Sequence, residues 1–279
     1  MKTRAALTAD LRRLGVQPGD LVMIHASLKA IGTIDGGAVT LVRSLLDAVA
    51  PGGTLMGYAS WDRSPYEETL NGARMDEEAR RAWPPFDPAT AGTYRGFGLL
   101  NQFLVETPGA LRSAHPDASM VAIGALAQAL IEPHRLGEAF GRDSPLERFV
   151  RSGGKVLLLG APLNTVTALH YAESIADIPG KRRVTYEMPL LDPEGRTVWK
   201  LAEDFDSNGI LDCFAVDGKP DAVETIANAY VTLGRHREGR VGDARCHLFD
   251  AQDIVSFGQA FLERNFGQTL FTAPTPVAY

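Results

Sequence analysis

His170 and Glu173 are the two residues whose types and spacing point most directly to chemistry. Side chains three positions apart project from one face of a helix, so the imidazole and the carboxylate are expected to meet. A histidine held by a carboxylate is the usual form of a general base. A helical histidine is more often structural, however, and these two positions alone leave both interpretations open.

The segment before His170 favours acyl-transfer chemistry. An apolar strand is predicted over 155–159, and it leads through the small residues Gly160 and Ala161 into a helix predicted to start near Thr165. The first turn of a helix presents unpaired N–H groups and a positive potential. Such groups stabilise the oxyanion that forms when an acyl carbonyl is attacked.

A second candidate segment, 25–29, follows an apolar strand predicted over 21–24. Ligands of open α/β sheets bind beyond the carboxyl ends of strands. Small and hydroxyl side chains there let a ligand phosphate approach backbone N–H groups. A plain strand-end turn packed by His25 explains the same residues, and both interpretations stay open.

A third segment combines Arg112 and Ser113, which suit a phosphate or a carbonyl, with His115 and Asp117. The spacing of the last two residues is compatible with a metal pair. No further ligand lies nearby in the sequence, so a metal site is not expected. An ordinary polar loop is the simplest interpretation of this segment.

Acidic residues are concentrated in a long irregular segment over 58–95, which is also rich in proline and aromatic residues. Its carboxylates are Asp62, Glu67, Glu68, Asp76, Glu77, Glu78 and Asp87. A second acidic group, formed by Glu203, Asp204 and Asp206, follows a predicted β-hairpin. A solvated surface with ion pairs is the simplest interpretation. A cleft for a polycation is the more specific one, because long loops inside compact domains are usually functional or disordered.

The order of predicted elements indicates an α/β domain. Strands over 21–24 and 54–57 flank a helix over 38–49, which is typical of a parallel sheet. Further helices are predicted at 5–14, 76–83, 98–105, 145–150, 222–233 and 250–264, further strands at 119–124 and 244–248, and a hairpin at 184–190 and 197–202. We expect one domain over 1–267, with the 58–95 insertion, and a C-terminal tail at 268–279.

Composition excludes several classes of protein. The net charge of −6 argues against a general nucleic-acid-binding protein, which needs a basic surface. No apolar run approaches the ~20 residues that span a bilayer, and no signal peptide is recognised, so a cytoplasmic protein is expected. The two cysteines are expected to be buried, reduced thiols. Motifs of dinucleotide enzymes, kinases, serine hydrolases and zinc proteases are absent.

Six ordered blocks resemble one known family, the aminoglycoside 3-N-acetyltransferases. The blocks are residues 25–32, 58–61, 85–90, 112–116, 157–160 and 168–173. The likeness covers about residues 2–266, and residues 62–66 are similar to the gentamicin-modifying subgroup. The resemblance implies a three-layer α/β/α fold with a mostly parallel central sheet, distinct from the GNAT fold. It implies transfer from acetyl-CoA to the 3-amino group of a 2-deoxystreptamine aminoglycoside such as gentamicin, giving antibiotic resistance.

The resemblance also assigns roles to residues. His170 takes the general-base position, Asp206 lies near it as an orienting carboxylate, and Thr165 lies beside the acetyl carbonyl. Glu173 is the carboxylate partner that the helical spacing provides. The residues expected to bind the coenzyme are Ser27, Leu28, Lys29, Arg112, Ser113, His115 and Thr165. The residues expected to bind the aminoglycoside are Asp62, Tyr66, Glu67, Glu68, Asp206 and Asn208. No metal, nucleic acid or membrane is expected as a partner, and the protein is expected to be a monomer or a homodimer.

Three other functions stay open at the level of sequence. The same chemistry could act on a different amine, the protein could bind CoA as a regulator without catalysis, or it could be a hydrolase that uses Ser60 or Ser27. The acidic segment favours a polycationic amine, and the pair His170 and Glu173 favours catalysis. Neither serine lies in the glycine-flanked turn of serine hydrolases.

Overall fold

The computed structural model describes residues 1–267, and the predicted tail at 268–279 lies outside the described residues. The described strands are β1 (Leu21–Ala26), β2 (Thr54–Tyr58), β3 (Leu111–Arg112), β4 (Met120–Gly124), β5 (Lys155–Leu159), β6 (Arg183–Leu191), β7 (Thr197–Phe205), β8 (Arg237–Val241) and β9 (Ala244–Asp250). The main sheet has the order β3-β4-β2-β1-β5-β9-β8, and β6 and β7 form a separate hairpin.

The described helices are α1 (Arg4–Leu14), α2 (Leu28–Ile31), α3 (Gly37–Val49), α4 (Tyr66–Thr69), α5 (Glu77–Ala82), α6 (Leu100–Val105), α7 (Ala127–Ile131), α8 (Pro145–Arg151), α9 (Leu169–Ile175), α10 (Ala222–Val231) and α11 (Ala251–Phe266). Short polar side chains fix where several begin. Asp250, the first residue of the helix predicted over 250–264, is an example of a side chain that the sequence marks as a cap, and its Oδ1 accepts the N–H of Asp253 at 2.9 Å. Within residues 1–267, none of the helices combines the length and apolar character needed to cross a bilayer.

Parallel pairing is confined to the middle of the main sheet. Strand β1 pairs in parallel with β2 on one side and β5 on the other, whereas the outer pairings are antiparallel. Only β4 and β9 therefore run against the other strands of this sheet, which confirms the mostly parallel sheet predicted from the sequence.

Helices cover both faces of the main sheet. Because successive side chains of a strand point to opposite faces, Val22 and Ile24 pack in one core while Leu21 and Met23 pack in the other. Helices α1, α3 and α6 contribute to the first core, and α8, α9, α10 and α11 contribute to the second. This arrangement is the three-layer α/β/α architecture that was predicted.

The 58–95 segment is ordered by contacts with the β6–β7 hairpin. The N–H of Phe86 donates to the carbonyl of Pro189 at 2.8 Å, and the hydroxyl of Thr69 donates to the carbonyl of Glu187 at 3.1 Å. Arg80 forms an ion pair with the Glu187 carboxylate. The segment contains α4 and α5, so it is a folded insertion with short helices.

Sequence prediction missed α2, α4 and α7, and also the edge strands β3 and β8. Each of these elements is only two to five residues long, so it shows too few periodic apolar positions. The helix predicted to start near Thr165 begins instead at Leu169, after a 3₁₀ turn over Leu163–Thr165.

Gly160 allows the chain to leave β5 toward the helical layer. Its φ is +66°, and a Cβ there would lie 2.5 Å from the Cβ of Ala30 and 3.1 Å from that of Ala244. The turn therefore needs glycine both for its backbone conformation and for the space beside α2.

We expect Gly160→Ala to destabilise the fold by more than ~2 kcal/mol, because strain and overpacking add together. Gly180→Ala is a matched control, since Gly180 has φ of +72° and no atom of the described residues lies within 4 Å of its would-be Cβ. The control should lose only about 1 kcal/mol of stability, because alanine is strained in the left-handed backbone conformation. Urea unfolding of both variants measures the difference, and equal losses would contradict the close-contact account.

Candidate active site

A cleft of about 580 Å³ opens at the carboxyl ends of the three parallel strands. Strand β1 supplies His25 to its wall, β2 supplies Tyr58, and the chain after β5 supplies a stretch that ends at His170. This is where open α/β sheets place their ligand sites.

Glu173 orients His170 in the first turn of α9. The Nδ1 atom of His170 lies 2.6 Å from Oε2 of Glu173. The neighbouring Leu169 and Ala172 are fully buried in the core, so the helix that carries both groups is anchored. With Nδ1 engaged, Nε2 is the ring nitrogen left for a ligand.

Glu173 is almost completely buried, at 2% exposure. Burial raises the pKa of its carboxyl group, and the charge and hydrogen bond of His170 oppose that rise. A buried carboxylate without a partner is strongly unfavourable. The hydrogen bond to the buried carboxylate of Glu173 therefore fixes the position of the His170 imidazole.

Aromatic rings support the imidazole from the side. Phe140 stacks on His170 with ring centroids 4.9 Å apart and planes at 25°. Tyr58 packs edge-on against Phe140 at 5.7 Å and in a tilted orientation against Phe97 at 4.6 Å. Because Phe97 is half-exposed, this aromatic group reaches from the partly buried imidazole to the mouth of the cleft.

His25 lies in the candidate ligand segment 25–29 and forms part of the cleft wall, although the sequence assigned it no role of its own. Its Nε2 is buried and has no hydrogen-bond partner among residues 1–267. Burial lowers the pKa of His25 to about 4, and the charge of nearby His170 adds to that effect. Since buried polar atoms are nearly always bonded, this nitrogen is available to a ligand. Its place directly after a predicted strand was the available signal.

The turn after β5 lines the cleft without forming a helix N-terminus. The N–H of Thr165 donates to the carbonyl of Pro162 at 3.1 Å, and the Thr165 hydroxyl donates to the same oxygen at 2.6 Å. The predicted oxyanion-binding N–H at this position is therefore wrong, because the 3₁₀ turn uses it. Thr165 itself does form part of the cleft wall.

Comparison with known proteins identifies the family. The sequence model described as aminoglycoside 3-N-acetyltransferase matches residues 23–263. An aminoglycoside N(3)-acetyltransferase III of Acinetobacter baumannii is 73% identical over 269 residues, covering 96% of this chain and 94% of that protein. The chain belongs to the aminoglycoside 3-N-acetyltransferase family. The predicted family and the predicted class of enzyme, an N-acetyltransferase, are thereby confirmed.

Solved structures of aminoglycoside acetyltransferases agree with this assignment. The crystal structure of AAC(3)-IIb has a TM-score of 0.95 at 73% identity, covering 96% of this chain and 99% of that one. AAC-VIa bound to sisomicin has a TM-score of 0.93 at 50% identity and coverages of 95% and 99%. AAC-IIIb in a binary complex with CoASH has a TM-score of 0.89 at 42% identity, covering 98% of this chain and 99% of that one. The predicted fold, distinct from GNAT, is confirmed.

In this family member Asp206 is not the carboxylate that holds His170. Oδ2 of Asp206 accepts a hydrogen bond from Nε of Arg182 at 3.1 Å, and Oδ1 accepts the N–H of Asn208 at 3.0 Å. Its charge is already compensated, so the predicted role as an orienting carboxylate is corrected in favour of Glu173. Asp206 fixes the loop that brings Asn208 to the cleft wall.

Arg112 is a structural residue, which corrects its predicted contact with the coenzyme. Its guanidinium donates to the carbonyls of Ala91 at 2.5 Å and Gly92 at 3.1 Å, to the carbonyl of Ser60, and to the hydroxyl of Ser119 at 3.1 Å. Burial lowers the pKa of Arg112 to about 10. Four of its five N–H groups are thus committed to holding the 58–95 segment.

Ser113 and His115 are also corrected, because both are fully buried in a polar network. Oγ of Ser113 lies 2.9 Å from Nδ1 of His134 and accepts the N–H of Met120 at 2.8 Å. Nε2 of His115 lies 3.3 Å from the hydroxyl of Tyr186. Burial holds the pKa of His115 well below its usual value. These groups stabilise the interior and have no atom left for a coenzyme.

The residues predicted at the start of α2 have different surroundings. Ser27 lines the cleft, and its Oγ accepts the N–H of Ala30 at 3.4 Å as a helix cap. Leu28 packs against the apolar core, whereas Lys29 is exposed. Their contacts with a coenzyme stay predictions.

Of the residues predicted to bind the aminoglycoside, Asn208 forms part of the cleft wall. The exposed carboxylates of that set are Asp62, Glu67 and Glu68. Tyr66 is partly buried near Asp206. Its burial and then the charge of Asp206 raise the pKa of its hydroxyl. Apart from Asn208, these residues lie outside the walls of the 580 Å³ cleft, and their role in binding stays a prediction.

The carboxylates of the second acidic group already have partners in the protein. Glu203 forms an ion pair with Arg183 at the surface. Asp204 is buried and accepts the N–H of Ala139 at 2.9 Å. Together with the pairing of Asp206, these contacts remove most of the negative charge that the sequence offered to a polycation.

The alternative nucleophiles are poorly placed. Ser60 is buried, and Ser27 caps α2. Cys246 is buried as expected, but Cys213 is exposed, because it lies in a polar 3₁₀ turn after β7. Neither cysteine lines the cleft.

We expect Ser113→Ala to weaken the fold and leave the KM for the acetyl donor unchanged. The variant leaves the N–H of Met120 and Nδ1 of His134 without a buried partner, which costs about 1–3 kcal/mol. Ser27→Ala is the control, since it changes the cleft and should raise that KM. Steady-state kinetics with urea unfolding separate the two, and a raised KM with normal stability in Ser113→Ala would restore its predicted ligand role.

Proposed function

We propose that the chain transfers the acetyl group of acetyl-CoA to the 3-amino group of a 2-deoxystreptamine aminoglycoside such as gentamicin. The proposal depends above all on the pair His170 and Glu173, 2.6 Å apart, in a cleft at the ends of parallel strands. AAC-VIa bound to sisomicin and AAC-IIIb with CoASH support the two ligand classes. Resistance to the antibiotic, a cytoplasmic location and a monomeric or homodimeric assembly belong to the same proposal.

His170 acts as the general base. An amine is a nucleophile only when it is neutral, and an alkylamine is mostly protonated near pH 7. When Nδ1–H of His170 donates to Glu173, Nε2 keeps its lone pair and accepts the proton of the attacking amine. Glu173 then stabilises the imidazolium that results.

Both substrates react while they are bound together. Holding an acyl donor and an amine side by side replaces a bimolecular encounter and lowers the entropic part of the barrier. The amine nitrogen attacks the thioester carbonyl, the C–S bond breaks, and CoA leaves as a thiolate that takes up the proton held by His170. This direct attack needs no covalent enzyme intermediate. The positions of Cys213 and Cys246 away from the cleft wall support this route.

Acetyl-CoA supplies an acyl group that is activated as a thioester. We assign its binding to Ser27, Leu28 and Lys29 at the start of α2, and to Thr165 in the turn after β5. The unpartnered Nε2 of His25 fits a ligand that brings a hydrogen-bonding oxygen into the cleft.

His25 takes over the role that sequence analysis gave to the N–H of Thr165. Its lowered pKa, about 4, keeps the ring neutral at physiological pH. A neutral ring protonated on Nε2 donates to the acyl oxygen, where negative charge develops during attack. The buried position makes this donor effective, because water does not compete for it.

The aminoglycoside is assigned to the other end of the cleft. Asn208 provides an amide in the cleft wall, and Asp206 fixes that loop. The ammonium groups farther from the reacting amine are assigned to Asp62, Tyr66, Glu67 and Glu68 on the 58–95 segment.

We expect His170→Ala to lower kcat ~10²-fold or more while acetyl-CoA binding persists. Glu173→Gln should lower kcat at least ~10-fold, because a neutral amide does not stabilise the imidazolium. Asp206→Asn is the matched control for a lost carboxylate and should change kcat less than Glu173→Gln. Thiol release measures turnover, and calorimetry measures coenzyme binding. Near wild-type turnover of His170→Ala would refute the assignment of His170 as the general base.

We expect His25→Phe, which keeps an aromatic ring in place, to lower kcat by about 10²-fold through loss of the donor. His25→Asn should recover part of that loss. Binding of CoASH, which lacks the acyl oxygen, should be similar in all three proteins. Because His25 stays neutral, the pH profile of wild-type kcat should show no change caused by titration of His25 above a pH of about 5. Wild-type kcat in His25→Phe would exclude the role.

The proposed activity is tested by gentamicin-dependent thiol release from acetyl-CoA, followed by locating the acetyl group on the product by NMR. Acetylation at the 3-amino group supports the proposal. The rival with the same chemistry on another amine predicts turnover only with amines outside the aminoglycosides. Absence of thiol release with every amine tested would favour a CoA-binding protein without catalysis.

A further inference from the structure

Three potential metal ligands meet on the β8–β9 hairpin at the edge of the main sheet. Glu238 and His247 are directly opposite each other across the hairpin. His236 lies two residues before Glu238, in the bend that leads into β8. One ligand atom from each residue lies within 4.8 Å of the others, and among residues 1–267 no second group of three such residues has this spacing.

The distances suit a small cation. Nε2 of His236 lies 3.0 Å from Oε1 of Glu238, and Nδ1 of His247 lies 3.8 Å from the same oxygen. Zinc bonds of about 2 Å in tetrahedral geometry place neighbouring ligand atoms roughly 3.3 Å apart. A modest contraction of the group would therefore create three metal bonds.

The two histidines leave polar atoms unsatisfied. Nδ1 of His247 and Nδ1 of His236 are both buried without a hydrogen-bond partner in the described chain. The His236 side chain is only 3% exposed and that of His247 only 16%. Because buried nitrogens are nearly always bonded, the free Nδ1 of His247 indicates a missing partner.

Aromatic packing holds both rings in position. Phe249 stacks on His236 at 5.3 Å with planes at 28°, and on His247 at 5.9 Å with planes at 8°. The centroids of the two imidazoles are 5.2 Å apart. Ligands that are fixed before binding lose less conformational entropy when the ion arrives.

The carboxylate of Glu238 divides its two oxygens between the guanidinium of Arg245 and the two imidazoles. Arg245 binds Oε2 of Glu238 at 2.8 Å, so it opposes the cation by charge while Oε1 stays available.

We propose that His236, Glu238 and His247 form a binding site for a divalent transition-metal ion, with Zn²⁺ as the ion that the ligand set fits best. Two imidazoles, one carboxylate and a water molecule complete a tetrahedral shell. None of the three residues forms the wall of the acetyl-transfer cleft. The ion therefore joins β8 to β9 and takes no part in the reaction.

The test uses untagged protein that has been treated with a chelator, at pH 7.5. Calorimetric titration with Zn²⁺ alone should show one equivalent bound, and Co²⁺ should give the visible absorption of a tetrahedral site. His247→Phe, which keeps the ring stack, and Glu238→Gln should each weaken Zn²⁺ binding at least ~10-fold. Saturating Zn²⁺ should raise Tm of the wild type by mass action and leave Tm of His247→Phe unchanged.

Two further variants keep the test decisive. Arg245→Ala should bind Zn²⁺ more tightly than the wild type, because a competing positive charge is removed, and a merely misfolded variant would not do so. His170→Ala, which alters the histidine in the cleft, should bind Zn²⁺ as the wild type does. Absence of binding, or equal affinity in the wild type and His247→Phe, would overturn the site. Loss of binding in His170→Ala would place the ion in the cleft instead.

Discussion

A buried carboxylate that needs its hydrogen-bond partner is the interaction on which the active site depends. Glu173 lies inside the helical layer, and Nδ1 of His170 is its hydrogen-bond partner at 2.6 Å. Rotating the imidazole away would leave an unpaired buried carboxylate, which is strongly unfavourable. The free energy of folding therefore keeps Nε2 directed to the cleft before any substrate arrives, and the substrate does not have to supply that ordering.

The sheet determines which groups His170 can meet. Because β1, β2 and β5 are parallel neighbours, their carboxyl ends converge, and the residues that follow them share one cleft. Gly160 turns the chain out of β5 at a point where a Cβ would collide with Ala30. The imidazoles of His25 and His170 thus come from positions far apart in the sequence and face one volume, one neutral and one held by a carboxylate.

Much of this architecture could be predicted from the sequence, because apolar runs and helical spacing report burial directly. The strand before Gly160, the cap at Asp250 and the pairing of His170 with Glu173 were all recognised in this way. The start of α9 was placed too early, since the 3₁₀ turn at Thr165 has no distinctive pattern. The short edge strands β3 and β8 were missed for the same reason. The order of residue types shows periodic burial, but it does not show a hydrogen bond to one particular carbonyl.

The roles of polar residues were harder to predict from the sequence, because a polar group is free for a ligand only when no other part of the folded chain binds it. Arg112, Ser113 and His115 have the types expected of ligand-binding groups, yet other parts of the chain use their polar atoms. His25 is also a polar residue, yet among the residues that the structure describes its Nε2 has no partner in the cleft.

The same criterion separates the histidines of this protein into distinct groups. In His115 and His134 both ring nitrogens have protein partners, so these rings serve the interior. His170 gives one nitrogen to Glu173, and the proposed function uses the other to accept a proton. Within residues 1–267, His25, His236 and His247 each retain a buried nitrogen without a partner. Folding does not leave such atoms unsatisfied without cost, so an unpaired buried nitrogen is evidence for a ligand, whereas the residue type alone is not.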